Sequence, residues 1–193
     1  MSPILGIYAS QISGHLVTNN YSSISTVTVG SGGTSSITFS SIPSTYSHLQ
    51  VRAITRSNRT SDINDVFAIT LNSDTTSGNY YAHILFGNGS STGAFSSQTA
   101  NGSAGMYVGL WQASSTTTAN VFGSAILDVL DYANTNKNKT LRALTGFDAN
   151  GSGSIGLQSG AWFSTSAVNS ITFFPVFGTS FNQYTQFALY GVK

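Results

Sequence analysis

The chain contains no glutamate and only three lysines, Lys137, Lys139 and Lys193, so the residues that most readily clothe a solvated helix are missing. In their place stand 55 Ser and Thr, 15 Asn and 20 Gly. Their short polar side chains or bare backbone favour turns, caps and strands over helix interiors. A chain this rich in Ser and Gly would be disordered if it lacked apolar area, but 12 Phe, 9 Tyr and 2 Trp supply that area along its length. These features predict a folded, all-β protein.

Short β-branched and aromatic runs recur, separated by Gly, Ser and Asn clusters. The runs predict strands over Ile24 to Val29, Ser35 to Phe39, His48 to Arg56, Val66 to Leu71, Tyr80 to Phe86, Met106 to Gln112, Val121 to Leu130, Leu141 to Phe147, Ile155 to Phe163, Val168 to Phe174 and Thr185 to Val192. Leu49, Val51 and Ala53 alternate with His48, Gln50 and Arg52, the pattern of a strand with one wet face. Many such antiparallel strands point to a two-sheet β-sandwich of jelly-roll type, ahead of a closed barrel. Residues 1–23 read differently, as an extended N-terminal arm with Ile4, Leu5, Ile7 and Tyr8 apolar, before a single sandwich domain over 24–193. Ser36-Ile37-Thr38-Phe39 and Ser170-Ile171-Thr172-Phe173 resemble each other, which shared strand grammar explains as well as duplication does.

Charge narrows the function classes. Seven basic residues against six Asp, a net +1 with no basic run, give no phosphate-neutralising face, so no nucleic-acid partner is expected. Without cysteine there is no disulfide scaffold, CxxC redox pair or thiolate metal site. No window approaches the roughly 18 apolar residues of a membrane helix, and the first ten residues carry no Lys or Arg and no signal-like apolar region. A soluble, unsecreted protein with no membrane partner is the expectation.

Few residue groups promise chemistry. Gly89-Ser90-Ser91-Thr92-Gly93 matches the nucleophile-elbow spacing but the following Ala94 to Thr99 reads as loop, not the required helix. Gly151-Ser152-Gly153-Ser154-Ile155-Gly156 spaces its glycines like a dinucleotide fingerprint but reads as a hairpin loop. Asp148, Asn150 and Ser152 begin like a calcium loop, yet Ser159 stands where the bidentate Glu belongs, leaving a weak site with Asp74 or Asp62, or a solvated turn. His15, His48 and His83 show no ligand spacing and read as polar sheet-face residues. Six Asn-x-Ser/Thr sequons, at Asn20, Asn58, Asn88, Asn101, Asn138 and Asn150, are close to what the composition yields by chance and read as unmodified. No catalytic residue, cofactor or metal is predicted.

Two groups suit recognition. Tyr80, Tyr81, Trp111 and Trp162 would stack on sugar C–H faces if they stood on a sheet face or rim, or would fill the core. Arg52, Arg56 and Arg59, followed by Asp62 and Asp65, form a mixed-sign cluster suited to a salt-linked surface or an inter-subunit contact.

Several stretches resemble virion surface proteins of tailed bacteriophages. Ser35 to Arg52, with its Ile42-Pro43-Ser44-Thr45-Tyr46 turn, is similar to their strand-loop-strand opening. Leu71-Asn72-Ser73-Asp74 to Asn79-Tyr80 is similar to an "N-x-D…NY" segment, Phe187 to Lys193 to their chain ending, and Ala9 to Gly14 to their leader. The resemblance implies a non-enzymatic β-sandwich, assembled in the bacterial host cytoplasm. It implies a head decoration or cement protein, a homotrimer on the outer surface of the major capsid protein lattice. The partner contacts would come from the arm residues Ile4, Leu5, Ile7 and Tyr8 together with Arg52, Arg56 and Arg59. The alternative it leaves open is a tail-fibre, adaptor or receptor-binding module that recognises host glycans through Tyr80, Tyr81, Trp111 or Trp162.

Overall fold

Gly and Asn punctuate the chain at 30–33, 87–89 and 150–153, and the β-branched and aromatic runs between them extend. The computed structural model describes residues 20–76, 78–97 and 105–193, and among these no residue is helical. Twelve strands form: β1 (Tyr21–Thr28), β2 (Ile37–Phe39), β3 (His48–Thr55), β4 (Asn64–Leu71), β5 (Tyr80–Gly87), β6 (Thr92–Ser97), β7 (Met106–Ala113), β8 (Gly123–Leu130), β9 (Lys139–Asp148), β10 (Gly153–Trp162), β11 (Ile171–Pro175) and β12 (Gln186–Val192).

An eight-stranded sheet runs in the order β1, β12, β3, β8, β9, β10, β5, β6, and a four-stranded sheet in the order β2, β11, β4, β7. Neighbouring strands in both are antiparallel, and the two sheets make the predicted β-sandwich. Four pairs are nested in sequence: β1 with β12, β2 with β11, β3 with β8 and β4 with β7. The chain therefore follows the path of one long hairpin wound round its own core. The hairpins β5–β6 and β9–β10 are inserted into that path, and both widen the larger sheet.

Leu49, Val51, Leu127, Val129 and Leu141 line the inner face of the large sheet and meet Phe67, Ile69, Ile171 and Phe173 of the small one. Phe187 stands at the centre, stacked on Phe173 at 4.6 Å and edge-on to Phe67 at 5.6 Å. On β10 the inward positions Gly156 and Gly160 are bare because β7 lies on them; a methyl at Gly156 would meet the Trp111 ring, and one at Gly160 the Met106 sulfur.

The segments 42–46, 71–80 and 187–193 have internal structural roles. The Tyr46 ring covers Gly191, so the Ile-Pro-x-x-Tyr turn and the chain ending meet. Tyr132 Oη donates to the Pro43 carbonyl and accepts from the Tyr46 N–H. Asn72 holds the 167–170 loop through the Ala167 carbonyl and the Asn169 and Ser170 N–H groups. The buried Tyr80 hydroxyl accepts from Leu71 N and faces the Asp74 carbonyl at 3.1 Å.

Two expectations change. Thr92–Ser97 is strand β6 and not part of a loop: a tight turn at 87–91 places it against β5, and that pairing overrides the weak strand propensity of Gly, Ala and Ser. The segment Tyr21–Ser23, read as the end of the arm, begins β1 and pairs with Val192, Gly191 and Tyr190. Ile4, Leu5, Ile7, Tyr8 and His15 lie outside the described residues.

Candidate interaction surface

Strand periodicity puts every second residue of the large sheet on its outer face, where water is the default neighbour. In the middle of that face the residues are aliphatic. Ile126 on β8, Leu144 on β9, Leu157 on β10 and Leu85 on β5 are successive cross-strand partners, forming one row perpendicular to the strands. They are 44%, 47%, 54% and 57% exposed. Ile155 and Ile54, also about half exposed, stand in the next outer row, separated by Ser124 and Gly146.

With strands about 4.8 Å apart, the patch from β3 to β5 is roughly 20 Å wide. Scattered aliphatics on a surface are ordinary, whereas six in two adjoining register rows make a contiguous patch of the size that marks interaction sites. Each side chain has about half its area left to bury, worth on the order of 1 kcal/mol.

A polar rim borders the row on one side. Gln50 Nε2 donates to Asp128 at 2.9 Å, Arg142 Nε to the same carboxylate at 2.7 Å, and Arg52 Nε to Gln50 Oε1 at 2.9 Å. Arg52 lies at the end of the aliphatic row, opposite Ile126, with its guanidinium over the Tyr21 and Tyr190 rings at 5.3 and 5.2 Å. An apolar centre with a hydrogen-bonded rim of both charge signs is the anatomy of a protein–protein contact.

The arginine cluster read from the sequence is dispersed, and only Arg52 borders this face. Arg56 is buried and its guanidinium donates to the carbonyls of Ser115, Thr117, Thr118 and Val121, so it serves the fold and not a partner. Arg59 pairs with Asp62 at 3.5 Å, donates to the Asn64 carbonyl and lies over Phe177 at 4.5 Å. Asp65 is buried and accepts from the N–H groups of Val66, Phe177 and Gly178.

The aromatic quartet is likewise not assembled into one platform. Tyr80 and Trp162 are buried and stacked on each other at 6.4 Å, out of reach of a sugar. Trp111 lies between the sheets against Gly156 and Phe86. Tyr81, on the outer face of β5, meets exposed Phe163 edge-on at 5.3 Å.

The weaker motifs resolve into turns and strand ends. Asn88 Oδ1 accepts from Ser90 and Ser91 in the β5–β6 turn, Asp148 Oδ1 accepts from Asn150 N, and His48 Nδ1 accepts from Asp131 N. Among the described residues no three His, Cys, Asp or Glu side chains gather to hold a metal ion.

The aliphatic row was legible in principle. Ile84-Leu85 and Ile126-Leu127 are adjacent apolar pairs inside strands, and a period of two sends one member of each pair to the outside. No protein-family model, curated protein or solved structure matches the chain.

Proposed function

We propose that this chain is a structural virion protein of a tailed phage, a head decoration or cement protein. In this reading it assembles as a homotrimer on the outer surface of the major capsid protein lattice. The observation that carries the reading is the in-register row Ile126, Leu144, Leu157 and Leu85 on a sheet face that otherwise faces water. Its occupants are the neighbouring copies of the trimer, whose rows converge about the three-fold axis. The row carries no charge that would repel its like, and the rim holds Arg52, Arg142 and Asp128 together, so copies meeting about a symmetry axis can set opposite signs against each other.

The nested strand pairing supports the jelly-roll part of the reading: β1, β12, β3, β8 against β2, β11, β4, β7 is the order of a double Greek key. Six half-exposed aliphatics supply roughly 6 kcal/mol of gross burial per copy, only comparable with the lower range of what association costs in lost freedom. The reading therefore assigns the remainder to the arm, whose Ile4, Leu5, Ile7 and Tyr8 reach a neighbouring subunit or the capsid protein. It requires no catalysis, because a shell is stabilised by any contact that forms only on its assembled surface.

Quantitative mass spectrometry of purified virions tests the reading. A copy number near that of the major capsid protein, or a simple lattice fraction of it, is expected. A few per cent or less would overturn it and favour the tail-located, receptor-binding alternative.

A further inference from the structure

The turn Asn182-Gln183-Tyr184-Thr185 is closed by Thr185 N donating to the Asn182 carbonyl, and its third residue, Tyr184, has φ of 71°. That position suits glycine or asparagine, and a bulky aromatic residue there is strained. The strain is not offset by packing, because Tyr184 is 67% exposed, more than any other large apolar or aromatic side chain among the described residues. The backbone is nonetheless fixed, with Tyr184 N donating to the Val29 carbonyl and Val29 N to the Thr185 carbonyl. A side chain that is costly to hold and contributes little to the core points to use by a ligand.

Tyr184 borders a groove of about 570 Å³, lined also by Phe122, Asn120, Asn182, Gln183 and Gly33. The walls are held from beneath. Arg56 binds four carbonyls of the 115–121 loop, and Asn58 Oδ1 accepts from Thr179 N and Ser180 N. A second turn, closed by Val121 N on the Thr118 carbonyl, sets Asn120 in the same left-handed conformation on the opposite loop, where asparagine is at ease.

We infer that this groove is a saccharide-binding site, with Tyr184 as the stacking platform for an uncharged pyranose and the amides of Asn120 and Gln183 facing its hydroxyls. An exposed ring flanked by planar amides matches the alternating apolar and hydroxyl faces of a sugar. An anionic sugar is disfavoured because the groove's arginine is spent on backbone carbonyls. The site adjoins the Ile54 end of the aliphatic face, at the ends of β3, β8 and β12, and does not depend on the cement reading.

The test is saturation-transfer NMR and calorimetry on the full chain, using glucose-, galactose- and mannose-terminated oligosaccharides with sialylated counterparts. Wild type is expected to bind at least one neutral oligosaccharide, with transfer to ring C–H protons. Tyr184→Phe should stay within about threefold, while Tyr184→Asn should weaken binding at least tenfold. The Asn variant should melt at the wild-type temperature or about 2–4 °C above it, since asparagine relieves the strained turn. No binding by any member of the panel, binding that survives Tyr184→Asn, or preference for the sialylated sugars would overturn the inference. A loss of oligomer mass in Tyr184→Asn without any saccharide binding would overturn it in favour of a protein contact.

Discussion

Leu144 and Leu157 are cross-strand partners on β9 and β10, each about half exposed, while Leu141, three residues earlier on β9, is completely buried. One strand therefore presents leucine to two different environments. Replacing Leu144 and Leu157 together by Thr, which keeps strand propensity, should change the unfolding free energy of dilute protein by less than about 1 kcal/mol per site. Leu141→Ala should cost about 2–5 kcal/mol by opening a cavity. Urea melts at low concentration check both, and equal losses at the two kinds of site would contradict the assignment of faces.

Asp74 reports on the seam between the sheets. Burial pushes its pKa up, but hydrogen bonds from Trp162 Nε1, Asn79 and Thr76 outweigh that and hold the carboxyl at about 2. Its folded pKa is thus below the ordinary carboxylate value of about 3.9. The stability it contributes is complete above that value and is lost as pH falls through about 2. Melting followed between pH 5 and 2 should show a shallower acid loss for Asp74→Asn than for wild type. Parallel profiles would show that the carboxylate is not the group responsible.

Arg56 should not tolerate lysine. Its planar fork reaches carbonyls at Ser115, Thr117, Thr118 and Val121, which a single ammonium at the end of a different stem cannot span. Losing two of these charge-assisted bonds implies about 3 kcal/mol, a fall in Tm of about 6–12 °C. Calorimetry of Arg56→Lys checks this.

Tyr46 and Gly191 should behave as a coupled pair. A methyl at position 191 overlaps the Tyr46 ring, so Gly191→Ala is expected to cost about 1–3 kcal/mol. In Tyr46→Ala the ring is gone and the same Gly191→Ala change should cost less, leaving a coupling of at least 0.5 kcal/mol by double-mutant cycle, at the lower bound of roughly 0.5–3.

Most strands were legible because their residues carry the pattern locally. Leu49, Val51 and Ala53 alternate with polar neighbours in β3, and the Tyr80-Tyr81 pair had to split between faces, as it does. β6 was hidden because Thr92-Gly93-Ala94-Phe95-Ser96-Ser97 owes its extension to β5 and not to its own residues. The candidate sites were less legible for a related reason. Periodicity says that neighbours face opposite ways but not which way is in, so the sequence leaves Tyr80 and Trp162 open to core or rim, and the structure buries both. Arg56 read as a surface charge because the carbonyls that bury it are about 60 residues away, as in the 59, 61, 62 and 65 residue separations of its bonds.

If copies of this chain meet on the aliphatic outer face, the mass of the protein in solution, read by analytical ultracentrifugation, shows it. Wild type should sediment as a trimer at micromolar concentration, and Leu157→Lys, which places a charge in the middle of the row, should sediment as a monomer with an unchanged circular-dichroism spectrum. A wild-type monomer, or a Leu157→Lys trimer, would show that copies do not meet there.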